Sequence, residues 1–248
     1  MPLPAKAFQH WLNRAAPGFS TAEICRVSGI KRSTLAQQLV RGKVAAATVV
    51  GISRGLGRSP LDDLASFEKY ADLKGKRPPT PAELVSQVAT MDLLRAVVAR
   101  SGPAHRSSRA VDAPEAPDVF SPAPHPTSVR NWVDAVDDGE LRHRVAAATG
   151  IAPQNFSAQL TANRLSPELT LATARAAGVG FTGGLVATGL ITEAEAGWDP
   201  AAKQSAVASL SDGELVTLAG ERLQTLGKAL HRQEQELAQT QKIWENLG

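Results

Sequence analysis

Apolar residues along this 248-residue chain recur at the three-and-four spacing of a helix, and no stretch sustains the alternation of a half-buried strand. Between Thr21 and Ser28 the inward positions are Ile24 and Val27; between Arg32 and Val40 they are Leu35 and Leu39. Lys31, Arg32, Ser33, Thr34 and Gln37 are left to face solvent. Gly29 falls between the two segments as a stop, and Ile30 reads as a plug beneath the turn. Helix starts are marked as clearly. Ser20-Thr21-Ala22-Glu23 is a capping box, Thr80-Pro81-Ala82-Glu83 repeats it with proline first, and Ser166-Pro167-Glu168 carries the same signal.

The pattern occurs twice. Adding 121 carries Trp11 to Trp132, Gly18 to Gly139, Gly29 to Gly150, Gln38 to Gln159, Arg54 to Arg175 and Gly57 to Gly178, with no gap over roughly sixty residues. "VAT" at Val88 recurs as "VAS" at Val207, two residues out of register. Such a register implies duplication. The recurring tryptophans take the same core-facing place and read as packing.

Two segments stand outside the repeat. Ser101 to Thr127 carries prolines at 103, 114, 117, 122, 124 and 126, too many for helix or sheet, and is expected to be a semi-extended tether. From Ser211 onward, Val216, Ala219, Leu223, Leu226, Leu230, Leu237, Trp244 and Leu247 alternate spacings of three and four, with Gln233 and Thr240 completing a heptad seam. Residues 211–248 are therefore a candidate homodimerisation helix; the competing reading is an amphipathic helix folded back on its own domains. The expected organisation is a first domain over 1–100, a linker over 101–127, a second repeat over 128–200 and the C-terminal helix over 201–248.

Composition narrows the class. The chain is 43% hydrophobic but only 4% aromatic, so alanine, leucine and valine supply most of the apolar mass and the expected fold is all-α. Cys25 is the single cysteine, which excludes an intrachain disulfide; it sits where crossing helices need a small side chain, a place Ala146 fills in the second copy. No apolar run is long enough to span a bilayer and no export signal is evident, so a cytoplasmic, nucleoid-associated protein with no membrane partner is expected. His10, His105, His125, His143 and His231 are scattered without partners at metal-ligand spacing, and no phosphate-loop, dinucleotide or nucleophile-elbow motif occurs. No metal, cofactor or small-molecule ligand is expected, and no enzymatic activity. Asp62-Asp63 and Asp137-Asp138 read as helix-start acids that favour the dipole, and Lys74 to Arg77 reads as a solvated loop.

Charge separates the copies. Residues 1–60 carry Lys6, Arg14, Arg26, Lys31, Arg32, Arg41, Lys43, Arg54 and Arg58 against Glu23 alone, a net +8 within a chain whose total is +3. Residues 129–178 carry five arginines against five acids and are neutral. A concentrated positive charge is what phosphate binding requires, because counterion release scales with the phosphates neutralised.

Residues 8–67, and again 129–188, resemble the lambda-repressor-like, xenobiotic-response-element family of helix-turn-helix domains. "TVVGISRGLGRSPLDDL" and "LTLATARAAGVGFTGGL" stand where that family packs a short helix over the pair. "VATGLITEAEAGW" is similar to domains of actinobacterial phage and prophage regulators. The Gly29-to-Gly42 interval is one residue longer than the family's, and Asn163 stands where Gly42 does. The resemblance implies two tandem helix-turn-helix domains, double-stranded DNA as partner, and a transcriptional regulator, a repressor of the phage-immunity kind acting by promoter occupancy. Candidate base-edge readers are Lys31, Arg32, Ser33, Thr34 and Gln37, with Gln154, Asn155 and Ser157 in the second copy; candidate phosphate contacts are Arg41, Lys43 and Arg164. Both copies reading unlike half-sites competes with a second copy turned to protein contact. The alternatives in other classes are a protein-interaction adaptor and a plasmid- or phage-segregation centromere binder.

Overall fold

A computed structural model of the chain describes residues 2–75, 77–101 and 120–247. Among them the fold is all-α, and the helices follow the duplicated pattern. The first copy supplies α1 (Ala5–Ala15), α2 (Thr21–Ser28), α3 (Arg32–Val40), α4 (Ala46–Gly55), α5 (Pro60–Ala65), a 3-10 helix (Glu68–Lys74), α6 (Pro81–Ser86) and α7 (Thr90–Ser101). The second supplies α8 (Ser128–Val136), α9 (Leu141–Thr149), α10 (Pro153–Thr161), α11 (Pro167–Ala177), α12 (Thr182–Ala187), α13 (Ala202–Ala208) and α14 (Asp212–Leu247). The offset of 121 maps α3 onto α10 end for end, and α6 and α7 onto the starts of α13 and α14 to within one residue. The duplicated order of helices therefore continues past the stretch that residue identity marks, as far as the first turns of α14. The only strand pairing among the described residues is antiparallel, Leu3–Pro4 against Lys43–Val44. No described helix is long and apolar enough to cross a membrane.

The described residues form two units, Met1–Gln87 with Pro122–Lys203, and Val88–Ser121 with Gln204–Gly248. The grouping differs from the sequential one expected. Helices α1–α6 of the first repeat and α8–α12 of the second lie in the first unit, while α7 and α14, equivalent helices of the two copies, share the second. Much of the expected linker, residues 102–119, lies outside the described residues. Its end is anchored: Phe120 is buried, Ser121 N–H donates to Asp92 at 2.8 Å, Ala123 N–H to Glu193 at 3.0 Å and His125 N–H to Ser128 Oγ at 2.7 Å. Proline removes donors, but the amides that remain find side-chain acceptors.

Each repeat closes over its own core. Phe8, Trp11, Ile24, Leu35, Val49 and Leu64 are buried in the first; Val129, Trp132, Val145, Phe156, Leu160 and Ala174 in the second. Val27, Ile30 and Leu39 are only half-buried, at the rim. The two tryptophans pack as expected, yet their indole N–H groups have different partners. Trp11 donates to Asp63 at 3.3 Å, within its own repeat; Trp132 donates to the buried Glu83 of the first repeat at 3.1 Å. Residue 63 maps onto Gly184, where a Cβ would come within 2.5 Å of the Trp132 ring, so no acid fits there.

Asp63 lies in the first turn of α5, as its sequence reading has it, but buried: only 4% exposed, it accepts from Ser53 at 2.8 Å and from Arg58 at 2.7 and 2.9 Å as well as from Trp11. Burial pushes its carboxyl up, but the bonds from Arg58, Ser53 and Trp11 outweigh burial and hold it below the usual carboxylate range.

In the second unit α7 packs along the first turns of α14, burying Leu93 and Ala96 together with Leu215 and Ala219. Arg100 ties the pair by donating to the carbonyls of Val207 and Leu210, both at 2.6 Å. The expected seam is thus divided. Ala219 is taken by α7, Leu215 outside the seam is buried beside it, and Val216, Leu223, Leu226, Leu230 and Leu237 remain exposed. The side chains of Trp244 and Leu247 lie outside the described residues.

Candidate nucleic-acid interface

The α2–α3 pair is built by local chemistry. Ser20 Oγ accepts from Glu23 N–H at 3.3 Å while Glu23 Oε2 accepts from Ser20 N–H at 2.8 Å, closing the capping box that starts α2. Those bonds hold the Glu23 carboxyl below its ordinary range, the backbone amide of Ser20 contributing most. Gly29 ends α2 at φ +68°, and Gly150 ends α9 at φ +70°, the left-handed backbone that turns one helix into the next. Ile30 packs against Gly51 of α4, and Gly55 lies so near the Val27 carbonyl that a Cβ there would stand 2.5 Å from it. Two bare positions on α4 let α2 and the turn settle onto it.

What this leaves outward is α3. Lys31, Arg32, Ser33, Thr34 and Gln37 are all exposed, and their side chains make no hydrogen bond among the described residues. Lys31 is the N-cap residue and caps nothing with its side chain, so the first amides of α3 point outward at the positive end of the helix dipole, beside two cations. Arg41 and Lys43 follow at the end of the helix, both exposed. Val40, 88% exposed, shares this end. The helical pattern makes Val40 visible only as the residue beside Leu39, and nothing in the spacing marked it as outward.

Gln38, between them in sequence, serves α4. Its Oε1 accepts from Ala45 N–H at 3.0 Å and Thr48 Oγ1 at 2.9 Å, tying α3 to the first turn of α4, whose N-cap residue Ala45 has no side chain to cap with. In the second repeat the matching residue is Ser166, whose own hydroxyl accepts from Leu169 N–H.

Two of the nine cations expected to form the basic face are spent elsewhere. Arg54 donates to Glu195 at 2.6 and 2.7 Å and to the Leu190 carbonyl at 3.2 Å, and Arg58 pairs with Asp63. Lys6, Arg14, Arg26, Lys31, Arg32, Arg41 and Lys43 remain without an ion pair among the described residues. Arg77 of the expected solvated loop donates to the Gly178 carbonyl; Lys76 lies outside the described residues.

The second repeat is neutral in detail as well as in sum. Arg130 and Arg142 pair with Asp134, Arg142 also with Asp137, Arg144 with Asp138, and Arg175 with Asp72. The Arg144 bond holds the Asp138 carboxyl below its ordinary range. Arg164 alone of the five is exposed without an ion pair among the described residues. On α10, Gln154, Asn155 and Ser157 are exposed beside Ala152, Pro153 and Ala158, and no side chain caps its N-terminus. Asn163 replaces Gly42 at φ +50° and uses its amide to accept from Val129 N–H at 2.8 Å and donate to the His125 carbonyl at 3.2 Å. Among the described residues no cluster of histidine, cysteine or acidic side chains converges as metal ligands would.

No family model, no characterised protein and no solved structure matches this chain.

Proposed function

We propose that the chain is a sequence-specific double-stranded DNA-binding regulator built from two lambda-repressor-like helix-turn-helix domains, acting as a repressor by occupying promoter DNA. The observation that carries the reading is α3: a short exposed helix with an uncapped N-terminus, flanked by unpaired lysine and arginine and bearing polar side chains outward over its first turns. A helix of that make enters the major groove by its N-terminal end. Lys31 and Arg32 suit guanine O6/N7, Gln37 suits adenine, and Arg41 with Lys43 grip phosphate. Gln154, Asn155 and Ser157 give the second repeat a weaker polar reading face, with Arg164 as its phosphate contact. Joined to the first in one chain, a weak second domain still contributes, because its site is presented at high effective concentration. The exposed leucines of α14 favour self-association through 211–248, which doubles the domains per assembly.

The test is footprinting on the DNA upstream of the gene, followed by binding of variants to the protected sequence. Arg32→Ala is expected to weaken binding about tenfold and to flatten base preference at one position; Arg41→Ala weakens all sequences alike. A protein-interaction adaptor would bind duplexes weakly and without preference and lose a protein partner on deletion of 211–248. Equal affinity of Arg32→Ala and the parent for the protected sequence contradicts the assignment.

A further inference from the structure

The contacts between the two repeats are reciprocal. Arg54, near the end of α4, bonds Glu195 and the Leu190 carbonyl in the second repeat. Arg175, its equivalent in α11, bonds Asp72 in the first. With the offset of 121, the segment 190–195 is the equivalent of 69–74, the stretch that holds Asp72. Each arginine therefore reaches into the same segment of the other copy.

The segments that follow behave the same way. Arg77 donates to the Gly178 carbonyl, and its backbone passes so close to Gly180 that a Cβ there would meet the Arg77 carbonyl at 2.8 Å. The equivalents of residues 77 and 180 are Trp198 and Ser59, and these line one cleft together with Leu61 and Asp199. A second cleft is lined by Arg77 and Pro78 with Val179 and Phe181. Gly75, Arg77 and Pro78 of this second cleft have their equivalents, Ala196, Trp198 and Asp199, in the first, which Arg77 and Pro78 line as well. In the second unit, likewise, α7 packs against α14, its own equivalent.

When residue i meets j of a partner and j meets i, the interface is isologous, and its symmetry operator is a two-fold rotation. Here the partner is the other half of the same chain. The match is approximate. Tyr70 donates to Glu168 at 3.3 Å, a bond that the equivalent Ile191 and Ala47 cannot repeat, and Trp132 draws on Glu83 where Trp11 uses its own repeat.

We infer that one chain carries an internal pseudo-two-fold axis, so that α3 and α10 address two half-sites inverted with respect to each other on a single duplex, with one chain filling both. This rests on the DNA-binding reading above. It goes beyond that reading by fixing half-site orientation and stoichiometry: an imperfect inverted repeat, one half strongly contacted by the cationic α3 and the other weakly by the neutral α10. Two-fold-related domains of this kind read half-sites about one helical turn apart.

The experiment starts from the site that the full chain selects out of random duplex DNA. Its two halves are rebuilt in inverted, direct and everted order at spacings around one turn, and affinity and chains per duplex are measured by sedimentation. The expected result is a chain-to-duplex ratio of one at saturation, whether or not chains pair through 211–248, and inverted order bound at least about tenfold more tightly than direct order, a difference the size of one lost base-pair contact. Asn155→Ala is expected to erase base preference in the weaker half and Arg32→Ala in the stronger. Direct order bound as tightly as inverted, two chains required per site, or indifference to the second half each overturns the inference while leaving first-repeat DNA binding intact. Failure to select any sequence overturns both.

Discussion

Gln38 and Gln159 are the same residue at the same place in two copies, and only the first is needed. Gln38 ties α3 to the first turn of α4 by accepting from Ala45 N–H and Thr48 Oγ1, whereas α11 is capped by its own Ser166. Gln38→Ala is therefore expected to cost about 1 kcal/mol, the usual worth of an intramolecular hydrogen bond, and Gln159→Ala less than about 0.5 kcal/mol, in matched denaturant titrations. Asp63 sets a pH dependence. Its folded-state pKa lies below the unfolded value, so its contribution is complete above the unfolded pKa and is lost as pH falls through the depressed one. The parent should lose stability as pH drops from about 5 toward 3, and Asp63→Asn should be less stable at pH 7 by about 2 kcal/mol with a flatter acid limb. An equally steep limb in the variant would assign the effect to other carboxylates. The repeat made Gln38 and Arg54 visible in the sequence, and Asp63 stood at a helix start, but their roles depend on partners that residue identity does not report: Arg58 and Ser53 for Asp63, Glu195 for Arg54.

At the scale of elements, capping boxes, left-handed glycines and apolar spacing located α2, α3, α9 and α10 with little error, because those signals are local. The C-terminal helix was legible as a helix and illegible as a surface. Its 36 residues span roughly 54 Å. Leu215 and Ala219 in its first turns are covered by α7, while Leu223 and Leu230 further along form a second apolar stripe left exposed, and only packing decides where the cover stops. If the second stripe holds a partner copy, Leu230→Glu with Leu237→Glu yields a single-chain species in sedimentation equilibrium, with helicity and per-chain DNA affinity retained. Leu215→Asp, by contrast, unpicks the α7–α14 pair and lowers the melting temperature, since an unpaired buried carboxylate costs several kcal/mol. A parent that sediments as one chain at every concentration leaves the exposed stripe without the proposed role.

At the scale of the molecule, formal charge overstated the basic face. A net +8 over residues 1–60 became seven unpaired cations once Arg54 had gone to the second repeat and Arg58 to Asp63. The inter-repeat ion pairs are exposed on at least one side and each contributes no more than about 1 kcal/mol. Their value is in register, holding each arginine against the same segment of the opposite copy. No periodicity reports such long-range pairing, which is why the sequence suggested a tether between independent domains while the described chain gathers both repeats into one unit.

The central claim is that α3 meets DNA. Its most direct test is the affinity of the full chain for its selected duplex as a function of salt. With four to six of the seven free cations neutralising phosphates, log K against log salt should fall with a slope of about −4 to −5, and Arg41→Ala with Lys43→Ala, at the end of α3, should make it shallower by about 1 to 2. A flat dependence, or a slope unchanged in that double variant, would contradict the claim.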